Sequence, residues 1–301
     1  MQYDSKSLYD GLVASGLIIP LGEPGVFGRN AVFEDVLERF NGLVTKLAQD
    51  DGAEKFMFPP ILPRPLFEKS GFMKSFPQLA MGVMSFCGCA ADHAELVNRI
   101  AEGKPYDDLM APSGVVLIPA ACYPVYPSFT GVLPENGRLV DMTHWVFRHE
   151  PSEEPTRMQS FRVREFVRAG SPEVVIEWRD MWLQRGLNLL QSLGLPAQAA
   201  VASDPFFGRG GKMLAINQRE QKLKFEVVVP VISVENPTAV CSFNYHQDYF
   251  SRTFEILQAN GQPAQTACLG FGLERVCMAL FKHHGFQPQQ WPETVRSKLW
   301  P

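Results

Sequence analysis

Apolar positions recur at helical spacing between residues 31 and 49. There AVFEDVLERFNGLVTKLAQ sets Val32, Phe33, Val36, Leu37, Phe40, Leu43, Val44 and Leu47 along one stripe, which predicts an amphipathic helix. The period then changes. FMFPPIL reads as a short strand stopped by Pro59 and Pro60, and residues 115–119 (VVLIP) and 141–150 (DMTHWVFRHE) read as further strands. Pro172 opens a second helix running to about Leu193, where Gly194 and Pro196 end it. KFEVVVPVISVE (224–235) is β-branched enough for a strand. AVCSFNYHQDYFS reads as another, and a last helix spans 273–283 behind GFG. Strands follow one another without regular crossover helices, and helices sit between groups of them. The pattern predicts an α+β fold, an antiparallel sheet flanked by helices. No repeat or low-complexity linker divides residues 1–301, so one domain with insertions is expected.

Composition narrows the function. The 301 residues are 46% hydrophobic and 20% charged, which suits a soluble globular chain with a large core. Basic residues number 28 against 32 acidic ones, for a net charge of −4. That balance argues against a broad nucleic-acid surface but leaves room for a local basic pocket. No apolar run approaches the roughly 20 residues of a membrane helix. The start, MQYDSKSLYDGLVASGLIIPLG, carries an Asp where a signal peptide has basic residues, so a cytoplasmic protein is expected. The six cysteines are sparse and are expected to be reduced.

The basic residues concentrate in FRHEPSEEPTRMQSFRVREFVRAG (147–170). Arg148 and Glu150 alternate, a loop (151–160) follows, and FRVREF resumes period 2. That period puts Phe161, Val163 and Glu165 on one face and Arg162, Arg164 and Phe166 on the other. A ribbon of this kind can grip phosphate, stack a base on Phe and accept from an adenine amine on Glu. A surface hairpin with weak cross-strand ion pairs fits the same residue types. In ACLGFGLERVCMALFKHHG, Gly270 and Gly272 permit close backbone approach where a helix begins. Arg275 in its first turn opposes the helix dipole unless an anion lies near. Elsewhere, GRGGKM (208–213) lacks P-loop spacing and reads as a mobile loop. Cys87-Gly-Cys89 with His93 lacks a second ligand pair and reads as loop packing, and Cys241 and Cys277 read as core. His283-His284 read as a solvated helix end. Ser128 and His144 have no triad partners.

Together, Arg148-His-Glu150 and Gly270-Phe-Gly272-Leu-Glu-Arg275 resemble motifs 2 and 3 of the class II aminoacyl-tRNA synthetase catalytic domain. The motif 2 Arg-x-x-x-Phe fits Arg162 to Phe166 and, in the loop, Arg157 to Phe161. Residues 31–60 resemble motif 1, which implies a homodimer. QDYFSRT (247–253), keeping Asp248 and Arg252, and LIPAAC (117–122) resemble stretches of the seryl enzymes. Two departures stand out. Only about 30 residues precede motif 1 where seryl enzymes carry a tRNA-gripping helical arm, and their amino-acid-reading Thr-x-Glu is Ala120-Ala121-Cys122. A short chain without that arm is similar to the amino acid:carrier protein ligases, relatives of the zinc-dependent seryl enzymes.

The resemblance implies a chemistry residue by residue. Arg148 and Arg275 would serve catalysis. ATP would be held by Arg148, Glu150, Arg157, Met158, Phe161 or Phe166, Ser242 and Arg275. Zinc would sit on Cys122, Glu165 and Cys268 with one open position for the substrate amine. Ala120, Glu165, Asn244 and Asp248 would line the amino-acid pocket, with glycine or alanine favoured. Magnesium would accompany ATP. Ala239 replaces the usual metal-binding glutamate, leaving Glu235 as a candidate. The acceptor would be the phosphopantetheine thiol of an acidic carrier protein rather than tRNA, docked with help from Arg179 and Arg185. A tRNA synthetase with a separate tRNA-binding partner, a non-catalytic binding module and a structural zinc protein are the rival readings.

Overall fold

The computed structural model describes residues 5–301. Its main sheet has seven strands: β1 (Glu54–Lys55), β2 (Arg138–Phe147), β3 (Ser160–Gly170), β4 (Gln198–Val201), β5 (Lys224–Val229), β6 (Thr238–Gln247) and β7 (Gln265–Gly272). They lie in the order β4-β5-β6-β7-β3-β2-β1. Neighbours are antiparallel except the edge pair β1–β2. The helices used below are α1 (Ala31–Leu47), α2 (Ala90–Ala101), α3 (Pro172–Ser192), α4 (Arg209–Glu220), α5 (Tyr249–Phe254) and α6 (Leu273–His284).

Helices α1, α3 and α6 back one face of the sheet. The Asn30 side chain caps α1 by accepting from Phe33 N at 2.9 Å. The buried stripe of Phe33, Val36, Leu37, Phe40 and Val44 then packs inward. Phe33 meets Phe281 of α6 with ring centroids 5.5 Å apart, and Phe40 meets Phe271 of β7 at 5.8 Å. Helix α3 crosses the sheet at Gly186, where a Cβ would lie 3.0 Å from Phe243 and 3.3 Å from Phe271. Only a bare α-carbon lets the helix approach this closely.

This back face absorbs much of the basic stretch. Arg164 makes a two-pronged bond to Asp141, both prongs at 2.6 Å, and reaches Asn41 and Thr45 of α1. Arg162 pairs with Glu34 at 2.7 Å and with the fully buried Glu274 at 2.9 Å. Both arginines therefore hold helices to the sheet and leave no phosphate grip on that side.

Several elements end elsewhere than expected. β2 stops at Phe147 because the chain turns, Glu150 N donating to the Arg148 carbonyl at 2.8 Å. Arg148 and Glu150 thus lie in the loop and not on the strand. Of FMFPPIL only Ile61 and Leu62 join a strand, Ile61–Pro63, in a separate three-stranded sheet with Gly82–Phe86 and Met110–Leu117. β5 ends at Val229, before Pro230, which has no N–H for the ladder. The strand expected through Ser251 yields to α5 after Gln247. GRGGKM opens helix α4 instead of forming a loop. His283 and His284 are tied to the Pro230 and Leu193 carbonyls, at 3.1 Å and 2.8 Å. No described helix is long and apolar enough to cross a membrane.

Candidate active site

The open face of the sheet carries the site. Two register rows set its floor. Glu165, Gly270, Ser242 and Glu226 align across β3, β7, β6 and β5, and Val167, Cys268, Asn244 and Lys224 form the next row. Residues aligned this way, two apart on each strand, point to one face. Gly270 is bare because the Glu165 side chain lies over it. A Cβ there would come within 3.0 Å of Glu165 Oε2.

Above this floor the loop after the Met110–Leu117 strand brings in Cys122. Cys122, Glu165 and Cys268 offer ligand atoms that all lie within 4.8 Å of one another, and all three residues are buried. Among the described residues no other such group of three forms, so the Cys87, Cys89 and His93 set does not assemble. Burial pushes the Glu165 carboxyl up to about 7. Contact with Cys122, followed by burial and the Glu165 charge, pushes the Cys268 thiol well up. Two thiols and a carboxyl crowded out of water are costly to ionise without a cation among them. A divalent metal ion supplies that charge, so the donor set fits one.

Arg148 bridges this cluster to a second pocket. Its Nε donates to the Pro119 carbonyl at 3.1 Å, on the loop that carries Cys122, and its guanidinium sits 5.5 Å from the Phe161 ring centroid. Arg157 reaches Glu150 and Glu154, each at 3.4 Å, and its side chain is 52% exposed. Arg275 is fixed by the carbonyls of Thr156 at 2.8 Å and Ala239 at 3.1 Å. Burial, with Arg148 and Arg157 close by, lowers the Arg275 pKa while Glu150 opposes. Three guanidinium groups gather here beside Glu150 and Glu154, an arrangement that an anion of several charges relieves.

Other expected residues fall differently. Phe166 is fully buried on the back face against Trp182 of α3, centroids 4.9 Å apart, so it cannot stack a base. That leaves the pair Arg157 and Phe161 on the cleft side. The Met158 side chain is buried, its sulfur 3.5 Å from Arg29. Ala120 stands half-buried on the Cys122 loop, and Ser242 is half-buried on the floor. Asn244 Nδ2 donates to the Cys268 sulfur at 3.5 Å. Asp248 precedes α5 and pairs with Arg252 at 2.6 Å, apart from the cluster. Glu235 lies exposed, bonded by Ser233, whereas Glu226 shares the Ser242 row. Arg179 is buried with its Nη1 donating to the Lys222 carbonyl, and Arg185 pairs with Asp51, so neither offers a free docking charge.

Two groups on this face went unread in the sequence. Lys224 is buried in ion pairs with Asp204 at 2.5 Å and Glu226 at 3.2 Å. His246 lies with its Nε2 3.6 Å from the Cys268 sulfur. Alternation along β6 carries His246 to the open face, but nothing in its local sequence marks a partner.

The architecture is that of a class II aminoacyl-tRNA synthetase catalytic core. A Methanopyrus kandleri seryl-tRNA synthetase, solved in complex with an Aquifex aeolicus selenocysteine tRNA, superposes with TM-score 0.83. That match has 20% identity and covers 99% of this chain and 60% of that one. A prolyl-tRNA synthetase of Cryptosporidium parvum superposes at 0.70 with 14% identity, over 95% of this chain and 54% of the other. Sequence relatives are more specific. Amino acid–acyl-carrier-protein ligases 1 and 2 of Bradyrhizobium diazoefficiens are 42% and 41% identical over 289 residues, 95% of this chain and 88% and 86% of theirs. A type-2 serine–tRNA ligase of Methanococcus aeolicus is 28% identical over 82% of this chain, which spans half of that protein. No family model matches. The chain belongs to the amino acid–acyl-carrier-protein ligase family and is an enzyme of that type.

Proposed function

We propose that this ligase activates glycine or alanine with ATP as an aminoacyl-adenylate and passes the aminoacyl group to the phosphopantetheine thiol of an acidic carrier protein. The observation that carries this reading is the Cys122, Glu165 and Cys268 cluster, joined through Arg148 to the cationic cleft. Zinc fits the two sulfurs and one oxygen, and when bound it would anchor a deprotonated substrate amine. Magnesium would travel with ATP, and Glu226 and Ser242, paired across β5 and β6 on the floor, would meet it.

The chain's own residues do the rest by positioning and charge. In the first step a carboxylate oxygen of the amino acid bonds to the α-phosphorus and the bond to pyrophosphate breaks. Arg148 neutralises charge gathering on the α-phosphate, and Arg157 and Arg275 receive the leaving pyrophosphate. Phe161 and Glu150 orient the adenine. In the second step the carrier thiol loses its proton to solvent, its sulfur bonds to the carbonyl carbon, the bond from that carbon to the phosphate oxygen breaks and AMP departs. No enzyme nucleophile is needed.

The carrier surface is α4. Its exposed Arg209, Lys212 and Arg219 lie among exposed Met213, Leu214 and Ile216, a combination that suits an acidic partner with an apolar contact. A second copy covers the three-stranded sheet and α2, where Met84, Val97 and Ile100 are exposed, with Met57 ahead of the Ile61–Pro63 strand and Tyr106 between α2 and the Met110–Leu117 strand. Met57 lies in the motif 1 stretch, the dimer segment of the resembled enzymes.

The test offers labelled glycine, alanine and serine with ATP to both tRNA and a pantetheinylated carrier. Label on the carrier thiol with glycine or alanine supports the reading. Label on tRNA alone overturns it.

A further inference from the structure

His246 touches the Cys122, Glu165 and Cys268 cluster at Cys268, as Tyr126 does at Cys122, and catalysis as derived above uses neither. It sits where β6 loses register with β7. Tyr245 pairs with Ala267, and Gln247, at φ 54°, pairs with Thr266, so His246 is the extra residue of a bulge. A bulge re-aims the side chain it carries, and bulges gather at active sites. Here the ring is turned along the floor toward Cys268. It is held edge-on between Phe250, at 4.9 Å between centroids, and Tyr126, at 6.2 Å.

The two ring nitrogens face different chemistry. Nε2 lies 3.6 Å from Cys268 Sγ. Nδ1 lies 3.2 Å from the hydroxyl of the fully buried Thr266 and 3.5 Å from that of Tyr126. A metal-bound thiolate carries no proton, so it can only accept. Hydroxyls can donate. One tautomer satisfies every contact, with Thr266 O–H donating to Nδ1 and Nε2–H donating to the Cys268 sulfur. His246 is not itself a ligand. The donors that lie mutually within 4.8 Å are Cys122, Glu165 and Cys268, and His246 stands outside that set. Cys268 also receives the Asn244 amide at 3.5 Å. One sulfur of the site thus faces two N–H donors from alternate positions of β6.

We infer that His246 is a positioning residue for the metal centre: its Nε2–H, fixed by Thr266, orients the Cys268 thiolate and draws charge from it. This rests on the metal reading above and adds to it a donor outside the ligand set. Withdrawing charge from a thiolate leaves the ion a stronger Lewis acid toward the substrate amine, and fixing the sulfur raises affinity.

The test compares wild type with His246→Phe, which keeps the ring packing but lacks N–H, and His246→Gln, whose amide can restore a donor near Nε2. Zinc affinity is read by competition with a chelating dye. The sulfur-to-metal charge-transfer band is read on the cobalt-substituted protein, and thermal unfolding of the loaded protein checks the fold. His246→Phe should lose about 10–100-fold in zinc affinity and shift the band, and His246→Gln should recover most of both. Thr266→Val should shift the band in the same direction by less. Wild-type affinity and an unmoved band in His246→Phe overturn the inference and leave the metal site standing. So do equal losses in Phe and Gln with no band shift, which mark a packing role. A wild type that takes up no stoichiometric zinc removes the metal reading, and this inference with it.

Discussion

At the scale of single residues the account turns on side chains that stand in costly positions for a reason. Glu165 is the sharpest case, a buried carboxyl lifted to about 7. Its folded pKa exceeds the unfolded one of about 4.3, so the folded state binds the extra proton between those values. The Glu165 contribution to the stability of metal-stripped protein should therefore be full below about pH 4 and be lost as pH rises from there through about 7. Added zinc should remove that decline. Denaturant unfolding of stripped and loaded protein across this range reads it, and a flat profile in stripped protein would contradict the cause assigned. Gly270 makes a second point. Its replacement by Ala drives a methyl within 3.0 Å of Glu165 Oε2 and should weaken zinc binding while leaving Arg148 and Arg275 in place. A zinc titration of Gly270→Ala beside wild type measures it. Cys122 and Cys268 were legible as ligands only through the motifs around them. The spacing between the segments cannot say that three side chains meet. Alternation along β6 gives the face of His246, but the bulge that turns its ring toward Cys268 leaves no mark in the sequence.

At the scale of elements, α1 could be read from its apolar period, α3 from Pro172 at its start and Gly194 and Pro196 at its end, and α6 from the GFG that precedes it. α1 carries Asn30 and α3 carries Ser171 before Pro172. α4 escaped notice because three glycines (Gly208, Gly210 and Gly211) cluster at its start and its apolar residues face outward. β2 was read three residues late, as 141–150 instead of Arg138–Phe147, because Arg148-His-Glu150 keeps strand alternation, while only the backbone reveals the turn. The face assignment of Arg162 and Arg164 was right, but their partners on α1, α6 and β2 lie far off in sequence. Two predictions belong here. Removing one partner of the buried Arg164–Asp141 pair strands a charge, so Arg164→Ala should cost roughly 3–5 kcal/mol of stability, read by urea unfolding. On α4, Lys212→Glu with Met213→Asp should raise KM for the carrier several-fold and leave amino-acid-dependent ATP–pyrophosphate exchange unchanged. Loss of exchange in that variant would mean that α4 serves the cleft and not the carrier.

At the scale of the whole molecule, one sheet divides two tasks. Its back face holds three helices through aromatic packing and buried ion pairs, and its open face carries the Cys122, Glu165 and Cys268 cluster beside the arginines of the cationic cleft. The smaller sheet and α2 leave apolar surface that a second copy is proposed to cover, so sedimentation should find a dimer. Val97→Glu with Ile100→Glu should shift it toward monomer. The claim on which everything rests is that an ion on Cys122, Glu165 and Cys268 anchors the amino acid beside ATP. Amino-acid-dependent ATP–pyrophosphate exchange, followed while zinc is stripped and returned, tests it most directly. Exchange should vanish with the metal, return with one zinc per chain, and stay absent in Cys122→Ala and Cys268→Ala. Full exchange in metal-free protein would contradict the account.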